Sequence, residues 1–233
     1  MNIKKRITDK QNLELIVEYK NRFLKQKAFP PLPRPYKHKL QPILHTGRLM
    51  FIRGKYLFLG TAESFEDKNM YVLYSLLKSY WENVGAFGYY YIKMSNYLDA
   101  GKKEDAFYLA GNMALGERKF PTEEMIKKAG HKIEVFTLPN ILTMIDLVDK
   151  DMKKRSKNEG AILREAYDEV VTEEGHTTFT GLMIASKWAP DGNSQLPDLK
   201  KKWKKEDKSY LLNLFAMSSL LFFFYWDQFA KLE

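Results

Sequence analysis

The most regular pattern of apolar and polar positions lies between Asn69 and Leu98. Apolar residues recur there in steps of three or four, at Met70, Leu73, Leu77, Tyr80, Val84, Phe87, Tyr91, Met94 and Leu98. This spacing keeps one helix face apolar over about eight turns, so it predicts a long amphipathic helix. The middle of the helix contains Gly85, Ala86 and Gly88. These small residues predict a close approach by another backbone, either within the chain or in a second copy.

Weaker forms of the same period predict further helices, at residues 9–27, 39–60, 103–115, 139–152, 161–174 and 209–232. We also expect a short helix after Pro121, an extended piece over 131–137 and a helical continuation over 179–188. Two ranges lack the period, a Pro-rich connector at 29–36 and a polar loop at 189–208. Residues 1–233 are therefore predicted to form a single domain, an all-α helical bundle of roughly six to eight helices.

The most apolar segment runs for sixteen residues from Leu211 to Trp226 and includes Asn213. A helix needs about 20 apolar residues to cross a bilayer, so this segment predicts a buried core helix and no membrane partner. The 233 residues include no cysteine, which excludes disulfides and thiolate ligands and is typical of a reducing cytosol. No apolar run follows the basic residues after Met1, so we expect no signal peptide and a cytoplasmic protein.

The net charge of +9 is unevenly distributed along the chain. Between Tyr19 and Ala62 there is no acidic residue, and ten basic residues give this stretch a charge of +10. Aromatic residues lie between these cations, which suits stacking on unpaired bases of RNA. The residues expected to bind RNA or another polyanion are Arg34, Lys37, Lys39, Arg48, Arg53 and Lys55. The alternative is a solvated, lysine-rich surface, because the sequence alone does not place these charges on one face.

A polar constellation accompanies the long helix. Lys78 and Glu82 are four residues apart, so they can pair on one helix face. If that face is partly buried, the pair needs further polar partners, for which Tyr167 and His176 are candidates. We therefore predict a site of Lys78, Glu82, Tyr167 and His176, with Glu82 and His176 within hydrogen-bonding reach, directly or through one residue or water. The alternative is an ordinary surface ion pair.

Glu173-x-x-His176 has the Glu-x-x-His spacing of di-iron helical bundles, which require a second copy of the motif. His38, His45 and His131 lack a glutamate at that spacing, so we predict no metal site and no cofactor. Gly-rich phosphate loops, His-Glu-x-x-His and Gly-x-Ser-x-Gly are absent from the sequence. Several common enzyme classes are excluded, while the presence of catalysis stays open.

Two segments resemble motifs of uncharacterised bacterial helical families. Leu77-Lys78-Ser79-Tyr80-Trp81-Glu82 resembles their Arg-x-x-x-Glu segment, with Lys78 in place of arginine. The stretch from Tyr167 to His176 resembles their Tyr-x-x-Leu-Ser-Glu-x-x-His segment. These families are similar to the HEPN group, and the resemblance implies a helical bundle from a group whose members often dimerise and include RNA-cleaving toxins. The ribonuclease signature of that group, an arginine followed by a histidine with four to six residues between them, is absent.

Three functions follow from these observations and stay open. The first is an RNA-engaging protein, including a toxin or defence-type ribonuclease. The second is a non-catalytic interaction or structural protein that binds a protein partner or its own copy. The third is a bundle that encloses a metal or small ligand between Glu82, Tyr167, Glu173 and His176.

Overall fold

Long helices dominate the computed structural model, as the apolar periodicity predicts. The structure describes residues 9–26, 29, 40–115, 138–156, 162–168, 186–191, 195–197 and 205–232. Its helices are α1 (Asp9–Lys25), α2 (Leu40–Glu66), α3 (Met70–Asp99), α4 (Lys103–Leu115), α5 (Ile141–Ser156), α6 (Ile162–Ala166) and α7 (Lys205–Phe229). A 3-10 turn, Ala230–Leu232, follows α7. The predicted all-α helical bundle is confirmed, and the seven α-helices of the described ranges agree with the predicted number.

Helix α3 is central to the bundle, and the reasons lie in its sequence. Asn69 precedes it, and the side-chain oxygen of Asn69 accepts a hydrogen bond from the backbone N–H of Val72 at 3.3 Å. This bond satisfies one of the free donors at the helix start. A Cβ on Gly85 would lie 2.7 Å from Ile145, and one on Gly88 would lie 2.7 Å from Val148. The small residues therefore admit α5, and the close approach predicted for them occurs within the chain.

Helix α7 contributes a dense group of aromatic side chains to the core. Its Phe222 and Phe223 rings lie 5.5 and 4.6 Å from the ring of Phe23 on α1. Phe58 on α2 lies 4.8 Å from Phe215 by ring centroid. The segment Lys208–Leu232 is long and apolar enough to cross a membrane by length and composition, but 67% of its most apolar window is buried inside the protein. This packing agrees with the prediction of a core helix.

The structure corrects several predicted boundaries. Helix α2 continues six residues past Gly60 to Glu66, since Gly60 lies inside the helix beside Leu76 of α3. The helix predicted over 179–188 is wrong at its end, because residues 186–188 form strand β1. β1 (Ser186–Trp188) pairs antiparallel with β2 (Gln195–Pro197), and Lys187 lies opposite Leu196. The predicted polar loop at 189–208 therefore contains a strand and the start of α7.

Other predictions fall outside the described residues. These are the elements at 121–137, the segment 169–174 of the predicted helix 161–174, and all of the connector 29–36 except Phe29. Within 161–174 the structure describes α6 and one π-helical turn at residues 167–168. The described helices share one hydrophobic core. That the whole chain forms one domain stays a prediction.

Candidate functional site

Three of the four residues predicted for the polar site meet where Tyr167, the residue after α6, reaches α3. Lys78 Nζ lies 3.2 Å from Glu82 Oε1, and the side chains of both residues are largely buried. The hydroxyl of Tyr167 donates to the same Glu82 oxygen at 2.8 Å. Residue 167 follows α6 directly, so this hydrogen bond joins the end of α6 to the middle of α3.

In this cluster the carboxylate of Glu82 is held by a hydrogen bond and an ion pair. Burial raises the pKa of Tyr167, and its hydrogen bond to ionised Glu82 raises it further, so the phenol stays protonated at neutral pH. Oε1 of Glu82 accepts the hydrogen bond from the phenol and also pairs with the lysine ammonium. The cluster thus stabilises the contact between α3 and α6.

The predicted contact between Glu82 and His176 falls outside the described residues, as do His176 and Glu173. The hypothesis therefore stays a prediction. No group of three histidine, aspartate or glutamate side chains suited to a metal ion occurs in the described ranges.

Sequence reasoning missed the residue that holds the start of α6. Asp149 on α5 accepts hydrogen bonds from the backbone N–H groups of Leu163 and Arg164, at 3.0 and 2.9 Å. Arg164 donates to Asp146 at 3.0 Å and to Asp168 at 2.6 Å. Its position in the sequence could have indicated this role, because Asp149 lies four residues after Ile145 and next to Val148 on the apolar stripe of α5. An acidic residue on a buried helix side needs a hydrogen-bond partner.

The basic residues predicted to bind RNA do not form one exposed cationic face where they are described. Arg48 is only 8% exposed, and its guanidinium lies 5.3 Å from the ring centroid of Phe29. Lys55 donates to the backbone carbonyl of Gln26 at 3.0 Å. Arg53 is exposed. Arg34, Lys37 and Lys39 lie outside the described residues. The structure therefore leaves Arg53 as the one described, solvent-facing cation of the predicted six.

Two rows of exposed large apolar side chains lie on α1 and α2. We call the exposed side chains Leu13, Val17 and Leu24 the α1 ridge, and Leu49, Ile52 and Tyr56 the α2 ridge. Each ridge recurs at helical spacing, so its members share one side of their helix. Tyr56 is 71% exposed, the most of any large apolar residue described.

An ion pair shows that the two ridges adjoin. Lys20 continues the spacing of the α1 ridge, lying three residues after Val17 and four before Leu24. Glu66 lies fourteen residues after Ile52, which is about four helix turns, so it lies on the Ile52 side of the α2 ridge. Lys20 Nζ lies 3.4 Å from Glu66 Oε1. The ridges therefore face the same side of the protein and meet near the end of α2.

Comparison with protein-family models, with curated proteins and with solved structures finds no match to this chain. The HEPN-like resemblance accordingly stays a prediction.

Proposed function

We propose that the protein is a non-catalytic protein-interaction module whose binding face consists of the α1 ridge and the α2 ridge. The observation that carries the proposal is the exposure of six large apolar side chains on two adjoining helices. Apolar surface costs about 25 cal/mol per Å² when it faces water. Clustered exposed apolar residues are therefore typical of surfaces that another molecule covers.

The contacts within the cluster of Lys78, Glu82 and Tyr167 favour an interaction function over a catalytic one. Within the described part, Glu82 is engaged by Lys78 and by Tyr167, and the phenol of Tyr167 is kept protonated. A carboxylate whose oxygen is engaged by two other side chains inside the fold is suited to holding helices together. An RNA-cleaving role, as the HEPN-like resemblance implies, is a separate proposal that depends on His176. A metal or small-ligand site that includes Glu173 and His176 is likewise a separate proposal.

The test is an affinity capture from the source cells with two matched lysine variants. Ile52→Lys places a charge in the α2 ridge, where Ile52 is 39% exposed. Val72→Lys places the same charge on α3 at a residue that is 38% exposed. We expect a defined protein to be retained by the wild type and by Val72→Lys, and lost by Ile52→Lys. Identical retention by all three baits would contradict the proposal.

RNA engagement is the second candidate, because Arg53 and Tyr56 are three residues apart and both exposed on the outer side of α2. A guanidinium can pair with phosphate while a tyrosine ring stacks on a base. In a salt-dependent titration of labelled single-stranded RNA, we expect Arg53→Gln to reduce the slope of log affinity against log salt by about one. Lys25→Gln, which removes an exposed cation on α1, is the control. Equal slopes for wild type and Arg53→Gln would exclude Arg53 from an RNA site.

A further inference from the structure

The outer side of α2 carries opposite charges at a fixed separation. Arg53 and Glu63 are both exposed, and they lie ten residues apart, which corresponds to about 15 Å along a helix. Neither makes an ion pair among the residues that the structure describes. Between them lie Tyr56 and the small residue Gly60. This arrangement is self-complementary, because each charge finds its opposite if the helix is turned end to end.

From this pattern we propose that a second copy of the chain covers the ridges, with the two α2 helices antiparallel about a two-fold axis. This inference rests on the proposed function and names its partner. The axis passes α2 midway between residues 53 and 63, so Arg53 of each copy lies opposite Glu63 of the other. A parallel arrangement would place Arg53 against Arg53, and like charges at an interface are strongly disfavoured.

The same register is favourable for the apolar residues. In an antiparallel pair, a residue that follows Arg53 by some number of positions lies opposite the residue that precedes Glu63 of the second copy by the same number. Tyr56, three residues after Arg53, therefore meets Gly60 of the second copy. The ring thus lies beside Leu76 of α3, whose side chain is 3.1 Å from where a Cβ on Gly60 would lie. Leu49 falls at the level of Asp67 of the second copy, next to the Lys20–Glu66 ion pair. Val17 lies one turn from Lys20, so the α1 ridge of one copy receives Leu49 of the other.

The interface is isologous, so every contact occurs twice. The two Arg53–Glu63 pairs lie at the edges of an apolar strip. In this position they set the register, while the covered apolar side chains provide the affinity.

The first test uses charge reversal and sedimentation at micromolar to millimolar concentration. We expect the wild type to form a dimer of the 27.4 kDa chain. Arg53→Glu alone and Glu63→Arg alone should each weaken the dimer by about tenfold or more, because each places like charges opposite twice. The double variant Arg53→Glu/Glu63→Arg should recover the dimer, since the pairs are restored in reverse. A wild type that stays at 27.4 kDa, or a dimer that is indifferent to either single reversal, overturns the proposal.

The second test uses the absence of cysteine from the chain. In Arg53→Cys/Glu63→Cys, the two thiols of one copy are about 15 Å apart on one helix, too far for a disulfide. In the antiparallel dimer each thiol faces one from the other copy, so mild oxidation should give a covalent dimer. The single variants Arg53→Cys and Glu63→Cys should not cross-link, because equal positions lie apart across the axis. Cross-linking of the single variants at the same rate would overturn the register.

These tests separate failure of this inference from failure of the proposed function. If the wild type is monomeric while Ile52→Lys still loses a captured protein that Val72→Lys retains, the ridges bind a different partner. If neither self-association nor ridge-dependent capture is found, the interaction function itself is wrong.

Discussion

The two faces of α2 carry similar apolar residues but have different surroundings. On the inner face, Phe51 and Phe58 are buried against α1 and α7, and Gly54 lies against the Phe222 ring. On the outer face, Ile52 and Tyr56 remain exposed. Residue type therefore does not distinguish the two faces, whereas the neighbouring helix does. The inner face stabilises the fold, and the outer face is available for binding.

The largest expected effect concerns the inner face. Phe58 is fully buried and its ring contacts those of Phe23, Tyr80 and Phe215. Phe58→Ala should lower the free energy of unfolding by about 3–5 kcal/mol, since it removes burial and leaves a cavity. Ile52→Ala on the outer face should change it by less than about 1 kcal/mol. Urea unfolding followed by circular dichroism measures both, and similar losses would mean that the two faces do not differ as described.

A second prediction compares two glycines that lie inside helices. A Cβ on Gly88 would come 2.7 Å from Val148 and 3.0 Å from Tyr225, both in the core, whereas one on Gly60 would meet only Leu76, at 3.1 Å. Alanine gains the same helix propensity at either position, so this contribution cancels in the comparison. Gly88→Ala should therefore be less stable than Gly60→Ala by about 1–3 kcal/mol. The measurement is urea unfolding at dilute concentration, and equal stabilities would show that α5 and α7 adjust freely around α3.

Local pattern was sufficient for some elements and insufficient for others. Helix α4 was predicted from Lys103 to Leu115 and is observed with those bounds, because its start, end and apolar period are all local features. The end of α2 was predicted at Gly60, a residue type that weakens an isolated helix. In the structure, packing of Leu76 beside Gly60 carries the helix on to Glu66. Strand β1 depends on its pairing with β2, which three residues of sequence do not reveal.

The candidate sites show the same limit. The spacing of Lys78 and Glu82 predicted their ion pair, and Tyr167 was correctly chosen as a partner. Arg48 was expected to face RNA, yet it is buried beside Phe29, because its direction depends on which side of α2 packs inward. The α2 ridge was missed for the same reason. Helix α2 is apolar on both sides, so its sequence alone does not say which side the rest of the chain covers.

The contact between α3 and α6 gives the third prediction. Tyr167→Phe removes the phenol that donates to Glu82 while keeping the buried ring. A hydrogen bond to a charged acceptor contributes more than a neutral one, so we expect a loss of about 1–2 kcal/mol in the free energy of unfolding. Tyr56→Phe is the matched control, because the Tyr56 side chain is mostly exposed. If both variants unfold at the same urea concentration, the Tyr167–Glu82 bond does not stabilise the bundle.

The smallest expected effect is the pH dependence that Asp149 gives to the stability of the bundle. Burial raises the pKa of Asp149 above its usual value of 3.8, while its hydrogen bonds from Leu163 and Arg164 partly oppose that shift. The folded state therefore holds the Asp149 proton more tightly than the unfolded state does. The resulting stabilisation is fully present below about pH 3.8 and is lost as pH rises through the folded-state pKa.

Asp149→Asn tests this sign, because its side chain stays neutral and still offers an oxygen to the start of α6. We expect the unfolding free energy of the wild type, relative to Asp149→Asn, to fall as pH rises from acid to neutral. Asp99→Asn is the control, because it removes an exposed carboxylate at the end of α3 that does not contact α6 in the hydrogen bonds described above. A relative stability that instead rises with pH would mean that the two backbone hydrogen bonds outweigh burial. Asp149 would then favour its charged form, and α6 would be held most firmly at neutral pH.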